Sequence, residues 1–163
     1  MKYPQLIHSG INNKIVALSE TEVAKLFTED TRSDIGSQAE KMKFANSVNG
    51  LVTKFVRLDF DDSLQAEMLV MEFIDSLDYR AYEVGQCELW WEVFEEGMKQ
   101  LHNAGFVHRD ITYENILLTN EGLRLIDVSI SALRSQVGDQ LFDKYTESEL
   151  LEMAEFREHF LNR

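Results

Sequence analysis

His108-Arg109-Asp110-Ile111-Thr112-Tyr113-Glu114-Asn115-Ile116-Leu117-Leu118 is the stretch on which the reading of the whole chain turns. It sets a histidine, an arginine and a carboxylate side by side, leaves four residues, and places an asparagine at the head of an apolar run. A second apolar piece, Leu123-Arg124-Leu125-Ile126, follows the turn residues Thr119-Asn120-Glu121-Gly122, so the spacing predicts a β-hairpin. Asp127 closes the second strand, 17 residues after Asp110. Such a hairpin holds Asn115 and Asp127 near one another on adjacent strands, and the loop entering it brings Asp110 to the same point. Taken singly, Asp127 also reads as a turn aspartate and His108 as a core histidine. The fixed offsets between them carry the signal.

Outward from this stretch the hydrophobic period changes near residue 76. On the nearer side, Trp90, Val93, Phe94, Gly97, Met98 and Leu101 recur at helical spacing, which predicts a helix over residues 88–103 with Gly105 just past its end. Thr146 and Glu149 match the spacing of a capping box, so the tail from residue 146 is expected to close as a helix through Leu150, Leu151, Ala154 and Leu161. On the far side, residues 14–18, 22–27, 53–59 and 67–73 are short and rich in Val, Leu and Phe, and read as strands. One helix interrupts them over residues 37–47, with Ser37 and Glu40 at capping-box spacing and Asn49-Gly50 at its end. The Trp90-Trp91 doublet reads as one buried and one surface indole rather than a dimer contact. Cys87 reads as packing, and Asp59 to Asp62 as a solvated turn.

With 163 residues the chain suits one domain, or one domain of two small lobes, with enough length to bury a core. Sixteen Lys+Arg against 29 Asp+Glu give a formal net charge of −13. That balance argues against nucleic acid as a partner, because counterion release needs clustered cations. No apolar run approaches a membrane span, and the start lacks the apolar region of a signal peptide, so a cytoplasmic location is expected. One cysteine makes no internal disulfide, and no Cys/His set has the spacing of structural zinc. Met1 and a capped final helix are what a complete chain would show.

His108-Arg109-Asp110 with Asn115, followed by apolar-Asp127, resembles the catalytic loop and metal-binding segment of the protein-kinase superfamily over residues 5–130. The resemblance implies an α+β, two-lobed minimal protein-kinase-like fold. An antiparallel-sheet N-lobe with one helix would cover residues 1–74, a hinge residues 72–78, and a short, mainly helical C-lobe residues 79–163. It also implies ATP and Mg2+ between the lobes, since phosphoryl transfer needs a carboxylate near the attacking hydroxyl and oxygen ligands for the metal that bridges the phosphates. In those terms Asp110 would orient the acceptor hydroxyl, and Asn115 and Asp127 would hold magnesium. Lys25 in Glu22-Val23-Ala24-Lys25 would hold the phosphates, with Glu40 as its ion-pair partner. Met71 would back the adenine pocket, the backbone of Glu72 to Ile74 would bind the adenine edge, and Gly10 would lie in the nucleotide loop.

Four departures qualify the resemblance. The loop around Gly10 has one glycine and an asparagine pair, closer to choline and aminoglycoside phosphotransferases. Val128 and Ser129 replace the Phe and Gly of D-F-G. Thr112 replaces the usual lysine, as in RIO-type kinases. After Asp127 only 36 residues remain, with no A-P-E string and no peptide-docking helices. The leading expectation is a small atypical serine/threonine protein kinase, acting on a protein substrate or with an activating partner. The alternatives are a pseudokinase that uses the fold as a partner surface, and a small-molecule kinase.

Overall fold

The computed structural model describes residues 3–9, 14–28 and 34–162. The first half of the chain supplies β1 (Gln5–Ser9), β2 (Lys14–Ala17), β3 (Glu22–Phe27), α1 (Ile35–Val48), β4 (Phe55–Asp61) and β5 (Ala66–Glu72). All five strands form one antiparallel sheet in the order β1-β2-β3-β5-β4. Alternation along β3 sends Val23 and Phe27 into the main core beside Leu69 and Met71, and Lys25 shares their face. Ala24 and Leu26 turn the other way, into a smaller cluster with Ala66, Met68 and Val70. Helix α1 covers the Lys25 face through Ile35, Gln38, Ala39, Met42 and Ala45, all buried at helical spacing.

An extended segment and a single 3-10 turn (Tyr79–Ala81) lead to α2 (Val84–Ala104), whose buried stripe runs from Cys87 through Trp91, Phe94 and Met98 to Leu101. It stops at Gly105, whose φ of 104° is the left-handed conformation that ends helices most readily at glycine. Inside α2, a Cβ on Gly97 would lie 2.6 Å from Leu51 Cδ1, so glycine there lets the helix close onto the 51–53 segment. Then follow β6 (Phe106–Val107), β7 (Ile116–Thr119), β8 (Gly122–Leu125), β9 (Ala132–Leu133), α3 (Arg134–Val137) and α4 (Asp139–Leu161). The β7–β8 pair is the hairpin expected from the sequence, and β9 returns to pair with β6. An aromatic chain bolts α4 to the rest. Phe156 stacks on Trp91 and Phe160 and meets Tyr113, while Phe160 meets Tyr79. The arrangement is the expected α+β one, an antiparallel sheet with one helix followed by a mainly helical half, and the sheet has five strands where four were expected.

Several local expectations are corrected. Strand β1 was not anticipated; its Leu6 and Ile7 are half exposed on a sheet edge, so it carries no apolar alternation. Helix α1 begins at Ile35, and Asp34 at its N-cap makes no side-chain cap bond, so the Ser37–Glu40 capping box does not exist. Helix α4 begins at Asp139, seven residues before the expected start, and Thr146 within it donates to the Asp143 carbonyl. Strand β4 runs through Asp61, so the acidic stretch is largely strand rather than turn. Trp91 is buried and Trp90 half-buried, as read from the doublet. Among the described residues, no helix is long and apolar enough to cross a membrane.

Candidate active site

The catalytic-loop residues meet as their spacing predicts. Ile126 N–H donates to the Asn115 carbonyl at 2.9 Å, which registers the segment that leaves β8 toward Asp127 against the residue just before β7. The Asn115 side-chain nitrogen donates to the Asp110 carbonyl at 3.0 Å and to Asp110 Oδ2 at 2.9 Å. Its amide nitrogen is thereby committed, and its amide oxygen accepts no hydrogen bond among the described residues. His108 is fully buried, its Nε2 on the Ile126 carbonyl at 2.9 Å and its Nδ1 accepting the Asp110 N–H at 3.2 Å. It ties the Asp110 backbone to the segment that leaves β8, which ends at Leu125, two residues before Asp127.

Two residues here adopt left-handed backbone without being glycine, Arg109 at φ 76° and Asp127 at φ 62°. Such conformations cost on the order of 1–3 kcal/mol and persist where surrounding bonds over-determine them. At Asp127 the Ser129 N–H closes on Oδ1 at 3.0 Å, and Lys25 Nζ lies 3.7 Å from the same oxygen. Burial pushes the Asp127 carboxyl up, but Lys25, the Ser129 hydrogen bonds and His108 together outweigh it and hold the group below its ordinary range.

At Arg109 the over-determination comes from α4. Glu149, with no exposed surface, accepts the Arg109 N–H at 2.7 Å and the His108 N–H at 3.2 Å, and meets His102 Nε2 at 2.6 Å. Arg109 itself lies over the Tyr145 ring, 3.7 Å from its centroid, and donates to the Ile130 carbonyl. The loop that presents Asp110 thus hangs from a carboxylate 40 residues away in sequence. The sequence reading gave Glu149 a local capping task. The available sign was its place among Phe142, Met153, Phe156 and Phe160 on the buried stripe of α4.

Lys25 is nearly buried, and its Nζ donates to Gln38 Oε1 at 3.0 Å. The expected partner, Glu40, is exposed. Two residues along a helix turn the side chain away, so Gln38 stands where an acidic partner was expected and Glu40 does not reach Lys25. One turn beyond Gln38, Lys41 Nζ donates to the Ser129 carbonyl at 3.3 Å. Burial and then Arg109 depress the Lys41 pKa.

At the interlobe strand, Met71 is buried on the α1 face of β5. The Glu72 N–H is already given to the Lys54 carbonyl and the Phe73 N–H to the Thr21 carbonyl. The Glu72 carbonyl accepts the Thr53 hydroxyl, and the Glu72 carboxylate pairs with Arg124 at 2.8 Å. Of the backbone donors in residues 72–74, the Ile74 N–H is the one without a partner among the described residues. Gly10 lies outside the described residues. A cavity of about 420 Å³ opens beside the catalytic loop, lined by Leu77, Tyr79, Tyr113, Leu117, Phe156 and His159 among others.

The sequence matches the RIO domain family model over residues 62–138. It is 32% identical over 78 residues to the RIO-type serine/threonine-protein kinase Rio1 of Haloferax volcanii, covering 45% of this chain and 27% of that protein. It is 28% identical over 140 residues to the serine/threonine-protein kinase CBK1 of Candida albicans, covering 78% of this chain and 18% of that protein. It is also 33% identical over 84 residues to cyclin-dependent kinase 12 of Caenorhabditis elegans, covering 51% of this chain and 10% of that protein. The chain therefore spans about a quarter or less of the length of these relatives.

Proposed function

We propose that this chain, a member of the protein-kinase-like superfamily, is an ATP- and magnesium-dependent phosphotransferase that acts on a serine or threonine hydroxyl of a protein. The observation that carries the reading is one connected set of contacts: Lys25 on Asp127, Ile126 on Asn115, and Asn115 on Asp110. Asp110 orients the acceptor hydroxyl and takes its proton at the carboxylate, held in place by Asn115 and by the His108 ring. Asn115 Oδ1 and the Asp127 carboxylate are the oxygen donors that would hold magnesium, a hard cation suited to oxygen ligands. When bound, the metal supplies neutralisation of the phosphate charge. Lys25 provides the positive charge for the α/β-phosphates. Met71 backs the adenine site, and the Ile74 N–H, without a partner among the described residues, can meet the adenine edge.

The orderly pairing of all four reactive side chains supports catalysis over a scaffold that merely keeps the fold. The cavity beside Tyr113 favours a second reading, a small-molecule alcohol as acceptor, since its volume falls in the range of ligand pockets. Incubation of the purified protein with γ-labelled ATP and Mg2+ separates these readings. Label should pass to serine or threonine, of this chain or an added protein, and Asp127→Asn should abolish the transfer. Full transfer by that variant would overturn the assignment, and label appearing only on added small alcohols would favour the second reading.

A further inference from the structure

Helix α1 reaches the site through two side chains one turn apart, and neither is a carboxylate. Gln38 accepts from Lys25 at 3.0 Å, and Lys41 donates to the Ser129 carbonyl at 3.3 Å. Spacing of three residues puts both on the cleft side of the helix. The segment that Lys41 grips is the tight turn carrying Asp127, closed by the Ser129 N–H on Oδ1 and continued by the Ser131 N–H on the Val128 carbonyl at 3.1 Å. Arg109 holds the next carbonyl, that of Ile130, at 3.2 Å. Two cations from opposed elements therefore clamp consecutive carbonyls just after Asp127.

We propose that Lys41 is a positioning residue: its bond to the Ser129 carbonyl ties the Asp127 turn to α1 and couples that helix to the metal-binding carboxylate. The proposal rests on the reading of Asp127 as a magnesium ligand. Gln38 and Lys41 then act together. Any shift of α1 moves the support of Lys25 and the turn of Asp127 at once, where the acidic helix residue expected from the sequence would have acted on Lys25 alone.

Two readouts on Lys41→Met, which removes the donor and keeps the stem, test the coupling. In the nucleotide-free protein, amide exchange at Ser129 and Ser131 should quicken by roughly fivefold or more, while α2 stays as in the wild type. In calorimetry, ATP affinity with Mg2+ should fall about five- to tenfold, the net size of one ordinary hydrogen bond, with metal-free binding unchanged. Lys41→Arg should restore most of both effects. Lys43→Met, on the same helix but over the Phe55 ring, should leave both unchanged. If Lys41→Met does not fold, Lys41→Ala, which also removes the donor, is read in the same way. Unchanged exchange at Ser129 and Ser131, or equal losses with and without Mg2+, would overturn the proposal. A wild type that binds no ATP would sink the phosphotransferase reading instead, and the exchange arm alone would still decide whether the tether exists.

Discussion

On the C-terminal side of the cleft the loop of His108 to Asp110 hangs from a fully buried carboxylate, whereas on the N-terminal side Lys25 rests on a neutral amide. Glu149 satisfies two backbone N–H groups and a histidine at once, and the aromatic chain through Phe156 fixes the helix that carries it. Among the described residues, Gln38 makes one side-chain hydrogen bond, and Lys25 finds one carboxylate, that of Asp127 across the cleft. The difference teaches where the site is preorganised. The groups that would handle the acceptor proton are held by redundant buried bonds. The group that would hold phosphate is held by single contacts that a bound metal or nucleotide can exchange.

The largest effect should come from breaking the rigid side. Glu149→Ala strands the buried His108 N–H and the part-buried Arg109 N–H and should destabilise the protein by roughly 2–4 kcal/mol in denaturant unfolding, with Glu149→Gln costing less because one acceptor survives. A loss no greater than that of a surface substitution would remove the distinction between the two walls. On the adjustable side, Gln38→Ala should cost only about 1 kcal/mol of stability yet weaken ATP binding severalfold. Gln38→Glu should strengthen Mg2+-dependent binding, because Lys25 gains a second carboxylate and Asp127 is released toward the metal. A decrease would show instead that the neutral amide is required.

Acid titration sharpens the comparison further. The Asp127 carboxyl is held below its ordinary value of 3.8, so the stability it contributes is present above that pH and is lost as pH falls through the lower, folded-state value. Wild type and Asp127→Asn should therefore differ in unfolding free energy at neutral pH and converge at strongly acidic pH. Equal stability at pH 7 would mean that Lys25 gains nothing from Asp127. The smallest effect belongs to Glu40→Gln. An exposed residue that does not reach Lys25 should change neither stability nor ATP affinity beyond about 0.5 kcal/mol, and a larger loss of affinity would return Glu40 to the site.

What was legible in the sequence was local. The hairpin and the offsets between Asp110, Asn115 and Asp127 lie within 18 residues, so turn chemistry and alternation suffice to bring them together. The long-range partners were not. Both Ser37–Glu40 and Thr146–Glu149 match a capping-box string, and in both the string hid a residue with a distant task. Gln38 stands on the buried stripe Ile35, Ala39, Met42 and Ala45, and Glu149 on that of Phe142, Met153, Phe156 and Phe160. A polar residue at a core position of a helical period was the stronger sign in each case, because such a group must find a partner when buried. Strand β1 escaped for the opposite reason: an exposed edge strand needs no apolar alternation, and pairing with β2 decides it.

Calorimetric titration of ATP, with and without Mg2+, on the wild type and on Asp127→Ala tests the central claim most directly. Binding that requires Mg2+ and disappears in Asp127→Ala is the predicted result. Binding that is indifferent to both the metal and the substitution, or no binding under any condition, would contradict the account and leave the fold as a scaffold.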